Sequence, residues 1–589
     1  MELVFLLFLL FIVVLALRLT YLQWFQARGF AQLADKMQSR TFAVDASRGR
    51  IRDRNGAEFA TDILAKAIAI NPRVVADPET TVDRISELIH LDEKDREAML
   101  ARLSKAKEGK SAYSQLRRGV DRKLAEALEA TSKKDKSLRG LWLEDSPIRV
   151  NPSGADGSQI IGTVNQDGKG LEAIELKFDS ILKGSNGERR VRVDAVGKPI
   201  PESETRVVQP VNGKDVTLTL DRDIQHFVEA EVAKVAQEQS PDAATAIVMD
   251  VQTGDVLGMA NWPSFDPKAK KIDPQGRRNR AVTDLFEPGS IFKVITAAAA
   301  LEYGVPTNTY CSGSRTIGKH TIKCAHGAHH GACDLRRMLE QSCNLGAGAI
   351  AERIGPTRFY KFLEDIGIQS KTGIEFPGEE YGRLPDPAKR KDLWPTIRTV
   401  NVGFGQGVVV TPIQLLAAYA AVANDGIYNP PRLVRDAPGA KLPERLPHRI
   451  MTVSNSAALR SHMEAVVVSG TGKKAKIAGY SVAGKTGTAQ LVTNGRYAHG
   501  QYVASFCGFV PATKPKLAIL VSVWHPRKAQ YGGVVSAPVF REIARQSVAY
   551  LKIQPDTPGD LTDGNDQISR QYAQADRRAR AEKKSSAND

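Results

Sequence analysis

Three short clusters of side chains could together build an acyl-transfer centre. The first is Glu287-Pro288-Gly289-Ser290-Ile291-Phe292-Lys293-Val294. Pro and Gly interrupt the chain there, and VITAAAALE then propagates a helix. Ser290 is thus placed in the first helical turn, with Lys293 three residues on and on the same face. A serine hydroxyl is a weak nucleophile and needs a neighbouring base. A lysine in a partly buried, cation-rich pocket can lose its proton and become that base. The helix N-terminus also favours negative charge developing at the serine.

The second cluster is Ser342-Cys343-Asn344, followed by the small-residue helix LGAGAIAERIG. The third is Lys485-Thr486-Gly487-Thr488-Ala489, between SVAG and strand-like text. Each has a competitor elsewhere in the chain. Ser104-Lys105-Ala106-Lys107 repeats the serine–lysine spacing in a charged segment, and Lys371-Thr372-Gly373 repeats the third cluster among turn residues. The first lacks a breaker before it and an apolar helix after it. The second follows Ser342 too closely and has no second threonine, so it reads as a structural loop.

The elements that must position these clusters can be read from the surrounding text. Val216-Thr217-Leu218-Thr219-Leu220 alternates as a strand, and Asp221 caps a helix beginning near Ile224. Thr245–Asp250 and Val256–Ala260 flank Thr253-Gly254-Asp255 as strand, turn and strand. Strands and helices then alternate to about Leu551. Asn55-Gly56 is a tight-turn signal, and the charged text from Asp92 to Lys136 reads as exposed helices and loops. A glycine-rich block runs from Arg149 to Gly184. The order implies an α+β protein with residues 1–25 as an anchor, 26–212 as a first region, 213–553 as the catalytic domain and 554–589 as a disordered tail.

The anchor reading rests on the apolar run Leu3–Leu17, extended by LTYLQWF to Phe25. Arg18 can snorkel, and Tyr21 and Trp24 suit a headgroup belt. A cleaved signal peptide or a buried core helix are the alternatives. The exit LRLTYLQWF lacks small cleavage-site residues, which favours an uncleaved transmembrane helix. The charge cue is contrary: no Lys or Arg precedes the run, and Arg18 and Arg28 follow it. Taken literally, that places the body in the cytoplasm. The catalytic reading requires it outside, and it is given precedence. The net charge of +16 suits an anionic polymer, lipid or nucleic acid, or simply a soluble basic surface. No nucleic-acid motif accompanies it.

S-x-x-K, S-x-N and K-T-G in this order mark the penicillin-recognising acyl-serine enzymes, and the chain resembles a class B penicillin-binding protein over nearly all its length. RGRIRDRNG resembles that family's first N-terminal motif. NPSG at Asn151–Gly154 resembles the second, departing at Asn151 where the family usually has an aromatic residue. GLEAIELKFDSILKG and NVGFGQGVVVTPIQL are similar to later family segments. NRAVTDLFEPGSIFK looks closer to the cell-division branch than to the elongation branch. No glycosyltransferase domain is evident between anchor and catalytic domain.

The resemblance implies an elongated, dimerisation-like pedestal and a transpeptidase domain whose antiparallel sheet packs between helices. It implies cross-linking of peptidoglycan stem peptides through an acyl-Ser290 intermediate, and reaction with β-lactams. Lys293 would take the serine proton, Ser342 would relay it to the leaving amine, and Lys485 would tune the field. Asn344 would hold the donor amide, with Thr486 and Thr488 binding the terminal carboxylate and Gly487 allowing close approach. Backbone N–H groups of Ser290 and Thr488 would form the oxyanion site. No cofactor or metal is implied. Lipid-linked precursor, a polytopic glycan polymerase and division proteins are the implied partners, on the outer side of the cytoplasmic membrane. A D,D-carboxypeptidase or β-lactamase, a penicillin sensor and a division scaffold are the competing classes.

Cys311, Cys324, Cys333 and Cys343 fall between the first and second clusters or within the second, near His320, His326, His329 and His330. Clustered Cys and His suggest a metal, but the spacing matches no common zinc pattern. A disulfide is the more ordinary reading in an oxidising compartment, and unpaired thiols are the third. A bond to Cys343 would distort the S-x-N cluster and make activity redox-dependent. Cys507, in VASFCGFV, reads as a packed core residue.

Overall fold

The computed structural model describes residues 1–559 apart from 166, 195–197, 201, 205, 270 and 494–495, and the side chains of 35–37, 206, 326 and 493 also lie outside it. Glu2–Thr20 is helical and continues through a wider turn, Tyr21–Phe25. Glu2–Phe25 spans 24 residues and is strongly apolar. At 1.5 Å per residue that is about 36 Å, enough for the roughly 30 Å hydrocarbon core of a bilayer. It is the one helix among the described residues that is long and apolar enough to cross a membrane.

The first region is built on the long strand Glu58–Ile70, paired with Leu141–Val150 and Ser114–Val120. The Asn55-Gly56 turn forms as expected. Gly56 adopts φ +93°, and Asp53 Oδ1 accepts from Asn55 N at 2.8 Å and Ala57 N at 2.7 Å. The text from Asp92 to Lys136 departs from the expectation of exposed helices and loops. Helices Glu93–Glu108 and Arg122–Ser132 flank the strand Ser114–Val120, and Met99, Leu103, Leu116 and Leu128 are buried. Two apolar side chains per element suffice for this small core, and the long charged side chains between them mask the periodicity.

Arg48 of RGRIRDRNG and Glu175 and Asp179 of GLEAIELKFDSILKG meet Asp62 and Arg149 in one buried charge cluster. Arg48 donates to Glu175 Oε2 at 2.6 Å and Asp179 Oδ1 at 2.7 Å. Arg149 donates to Glu175 Oε1 at 2.7 Å and Asp62 Oδ1 at 3.2 Å. Arg48, Arg149 and Glu175 side chains are all at most 6% exposed.

The catalytic region centres on a five-stranded sheet in the order Val256–Trp262, Ala243–Asp250, Leu517–Trp524, Arg496–Val510, Ala483–Thr493, every neighbour antiparallel. Period-2 alternation gives it two apolar faces. Ala246, Val248, Ala504 and Phe506 pack with helices Arg222–Gln239 and Gly532–Tyr550. Ile247, Met249, Cys507 and Phe509 pack on the opposite side with helix Pro412–Ala423, whose residues are all buried. Cys507 is therefore a core residue, as its sequence context suggests. Asp221 caps the first of these helices, accepting from Asp223 N and Ile224 N. Thr411 and Gln414 form a reciprocal capping box on Pro412–Ala423.

Ordered packing runs past Gln554, the expected start of the tail. Asp556 accepts from Ser481 N at 2.8 Å and Thr513 Oγ1 at 2.6 Å, and Thr557 N donates to Gly479 O at 3.1 Å. Residues 560–589 of the expected tail lie outside the described residues.

Candidate active site

Ser290 sits in a tight 3₁₀ turn, Gly289–Phe292, which runs directly into helix Lys293–Glu302. Gly289 is required twice over. Its φ is +56°, and a Cβ there would stand 2.9 Å from Ala489 Cβ. Its N–H donates to Gly405 O at 2.9 Å, tying the turn to NVGFGQG. Tyr419, wholly buried in Pro412–Ala423, donates its hydroxyl to Ile291 O at 2.5 Å. The turn carrying Ser290 is thus fixed from two sides.

Ser342 is held differently. Helix Leu335–Glu340 ends with Ser342 N donating to Leu339 O at 3.3 Å and Cys343 N to Met338 O at 2.9 Å. This is a Schellman ending, whose left-handed position usually belongs to glycine. Ser342 occupies it at φ +55°, a conformation that costs a non-glycine residue about 1 kcal/mol or more. Cys343 then caps the next helix, Asn344–Ile354, its sulfur accepting from Gly346 N at 3.2 Å.

Lys293 joins the first two clusters. It is fully buried, and its Nζ lies 2.6 Å from Ser342 O, 2.7 Å from Asn344 Oδ1 and 3.1 Å from Ser342 Oγ. Burial pulls its ammonium down to about 8, against an opposing influence from the nearby cysteines. Asn344 spends its amide nitrogen on Lys323 O at 2.9 Å, so its oxygen faces Lys293.

The third cluster lies on the edge strand of the sheet. Lys485 is fully buried opposite Cys507, and its Nζ lies 3.1 Å from Thr486 O. Burial, then repulsion from Lys293, holds its ammonium well below the usual lysine range. Thr486 Oγ1 is 2.7 Å from Thr471 Oγ1, and Thr488 Oγ1 accepts from Gly532 N at 3.3 Å. A Cβ on Gly487 would lie 3.1 Å from Ile291 Cγ2 and 3.3 Å from Pro288 O. The glycine expected to admit a ligand also lets the strand press against the turn carrying Ser290.

A cleft of about 810 Å³ collects Gly289, Ser290, Ser342, Asn344, Thr486, Gly487 and Thr488 on its wall. Lys293 and Lys485 are buried out of reach of solvent. All eight residues singled out in the sequence therefore occupy one neighbourhood. The two competitors do not join it. Ser104 and Lys107 lie on helix Glu93–Glu108 of the first region, where Lys107 donates to Ala76 O. Thr372 and Gly373 are held in a loop by Glu379.

Sequence reasoning missed several wall residues, including Thr471, Tyr502 and Tyr531. None belongs to a motif; only the fold brings them in. It also missed Glu287, which accepts from Gly407 N at 2.9 Å and Tyr497 Oη at 3.1 Å and whose carboxyl is raised by burial. Its place beside Ser290 was the available signal. The five cysteines are buried and none is disulfide-bonded.

The sequence pattern of the penicillin-binding protein transpeptidase domain matches residues 244–545, and that of the penicillin-binding protein dimerisation domain matches residues 43–218. The chain is 32% identical to peptidoglycan D,D-transpeptidase FtsI of Escherichia coli over 556 residues, covering 92% of this chain and 90% of the relative. This chain belongs to the class B penicillin-binding proteins. Stage V sporulation protein D of Bacillus subtilis is another relative of this penicillin-binding protein, 32% identical over 558 residues and covering 91% and 83% of the two chains. Among solved structures, penicillin binding protein 3 of Mycobacterium tuberculosis in complex with aztreonam superposes with a TM-score of 0.66 at 27% identity, over 88% of this chain and 99% of that one. The likeness covers the first region and the cleft alike, so this penicillin-binding protein has both the pedestal and the transpeptidase domain of its class.

Proposed function

We propose that the chain is a serine-type D,D-transpeptidase that cross-links peptidoglycan stem peptides at the septum, with Ser290 as nucleophile. The observation that carries the assignment of roles is the buried Lys293 bridging the nucleophile helix to Ser342 and Asn344. An ammonium donates three hydrogen bonds; a neutral amine donates two and accepts one. Ser342 O and Asn344 Oδ1 can only accept from it, whereas the Ser342 hydroxyl can either accept or donate. Ser342 Oγ is also the longest of the three contacts. The amine–hydroxyl link is therefore the one able to reverse, and it makes Ser342 the proton relay.

Ser290 Oγ attacks the carbonyl between two D-alanines while neutral Lys293 takes its proton. The D-Ala amine leaves with a proton passed through Ser342, and the donor peptide stays as an ester on Ser290. An acceptor amine then attacks that ester, forms the cross-linking amide and returns the proton to Ser290. Backbone N–H groups of Ser290 and Thr488 hold the oxyanion, and Asn344 holds the donor amide. Thr486, Thr488 and the field of Lys485 receive the terminal carboxylate. Chemistry of this kind needs no cofactor.

β-Lactams acylate Ser290 by the same attack. The Glu2–Phe25 helix anchors the protein once across the cytoplasmic membrane, with residues 26–212 as pedestal and 213–553 as catalytic domain on the outer side. Lipid-linked precursor supplies donor strands, and a polytopic glycan polymerase with division proteins forms the assembly. The septal role is supported by NRAVTDLFEPGSIFK and by likeness to FtsI.

The test is fluorescent-penicillin labelling of the detergent-solubilised full chain beside Ser290→Ala. Labelling of the wild type alone is expected. A folded wild type that takes no label overturns the acyl-serine assignment. Mass analysis of products from a stem-peptide donor with and without an acceptor amine then separates transpeptidation from hydrolysis. Enrichment at midcell tests the septal role.

A further inference from the structure

We propose that Cys311, Cys324, His330 and Cys343 form a tetrahedral zinc site that clamps the Ser342–Asn344 turn at the edge of the cleft. The four donors come from four places in the chain. Cys311 ends the strand Thr309–Cys311, Cys324 follows Lys323 of the hairpin strand His320–Lys323, His330 precedes Gly331–Cys333, and Cys343 caps helix Asn344–Ile354. Pairing of Cys311 with Gly331 brings His330 beside Cys311.

The spacing of the donor atoms is that of ligands around one ion. Cys311 Sγ is 3.5 Å from Cys324 Sγ and 3.3 Å from His330 Nδ1, Cys324 Sγ is 3.7 Å from Cys343 Sγ, and all four donor atoms lie within 4.8 Å of one another. Zinc bonds of about 2.3 Å to sulfur and about 2.0 Å to nitrogen in a tetrahedron place sulfurs about 3.8 Å apart and sulfur about 3.5 Å from nitrogen. The three sulfurs are buried and the imidazole is half-buried. A disulfide would account for two of these four residues; an ion accounts for all of them. Three thiolates and one imidazole select zinc over hard cations. Four protein ligands leave no open position, which makes the site structural. Cys333 also contacts the Cys343 thiol and lies 3.8 Å from Asp334 O, but it is not among the four donors that all lie within 4.8 Å of one another. Helix Asn344–Ile354 adds support, since Gly346 N donates to the Cys343 sulfur at 3.2 Å.

The site departs from the expectation of no metal, and it has a consequence for the cleft. Cys343 stands between Ser342 and Asn344, the two residues that face Lys293. Fixing Cys343 to two hairpins holds Ser342 in its left-handed conformation and keeps both acceptors in place.

The experiment uses the full chain in detergent, purified with zinc and with thiols reduced, with metal measured by mass spectrometry. About one zinc per chain is expected, falling about tenfold in Cys324→Ser and in His330→Ala. Cys507→Ser should keep its zinc. Cobalt in place of zinc should show the charge-transfer bands of a tetrahedral thiolate site. Should the ligand variants misfold, stripping the wild type with a chelator and restoring zinc gives the same comparison. The effect on acylation rests on the Ser290 assignment: removal should slow penicillin labelling about tenfold, reversibly. Ser290→Ala should keep its zinc while taking no label, so the two assignments fail separately. No zinc above background in the reduced wild type, metal content unchanged in both ligand variants, or a disulfide among the three ligand cysteines in protein taken from cells would overturn the site. Labelling indifferent to complete zinc removal would overturn the clamp.

Discussion

Among the buried charges of the described residues, two groups are built on opposite terms. In the pedestal, Arg48 and Arg149 meet Glu175, Asp179 and Asp62, every cation touching at least two carboxylates. In the cleft, Lys293 and Lys485 are fully buried against hydroxyls, carbonyls and an amide, with no carboxylate among their hydrogen-bond partners and each other's repulsion to bear. Compensated charge fixes a geometry. Burial without a counter-charge brings the ammonium of Lys293 down to about 8 and holds that of Lys485 well below the usual lysine range, which is what a base requires. Burial alone therefore does not mark a functional site; in this cleft the burial comes without a counter-charge.

The comparison can be broken at several points. Lys293→Ala should lower the rate of penicillin acylation by about 10²–10⁴-fold, the usual contribution of a general base. Its thermal midpoint should hold or rise, because an unpaired buried cation is removed; a sharp fall would place Lys293 with the structural charges. Glu175→Gln should do the reverse. Stripping the shared anion from two buried guanidinium groups should cost about 3–5 kcal/mol of stability, read by denaturant melts. Acylation at a temperature where the variant is folded should be unchanged.

The pH dependence sharpens the contrast. The useful form of Lys293 is the neutral amine, and its ammonium titrates at about 8. Acylation should rise about tenfold per pH unit below that value and level off above it. A profile flat from pH 6 to 9 would remove Lys293 as the base. The smallest effect belongs to Ser342→Gly. It relieves a left-handed serine and should stabilise the fold by about 1 kcal/mol, while losing the relay hydroxyl and slowing turnover. Ser342→Ala should slow turnover without that gain in stability.

Much of this arrangement was legible in the sequence, for identifiable reasons. Two of the three clusters announce themselves by combining a chemical side chain with a local breaker: Pro288-Gly289 before Ser290, and Gly487 between two threonines. The caps at Asp221 and the turn at Asn55-Gly56 are local as well. What escaped depends on distance in the chain. Ser114–Val120 is a strand because Glu58–Ile70 lies beside it, and its own text is too charged to show this. The left-handed Ser342 follows from how helix Leu335–Glu340 ends against its neighbours, since no residue type there demands that conformation. The convergence of Cys311, Cys324, His330 and Cys343 follows from strand pairing across intervals unlike any short metal motif. Asp556 is charged text at the start of a polar tail, yet it finds Ser481 and Thr513.

Helix Pro412–Ala423 has a further consequence before the protein is folded at all. Apart from Gln414 in its first turn and the Tyr419 hydroxyl, its twelve residues are apolar, like the N-terminal helix. A translocation channel sorts such segments largely by length, because about 20 residues are needed to reach from one lipid face to the other. Glu2–Phe25 exceeds that length and Pro412–Ala423 falls well short of it. In the orientation proposed above, the first segment is retained and the second passes. The segment that holds Ser290 in place is thus as apolar as its core demands and still shorter than a bilayer span.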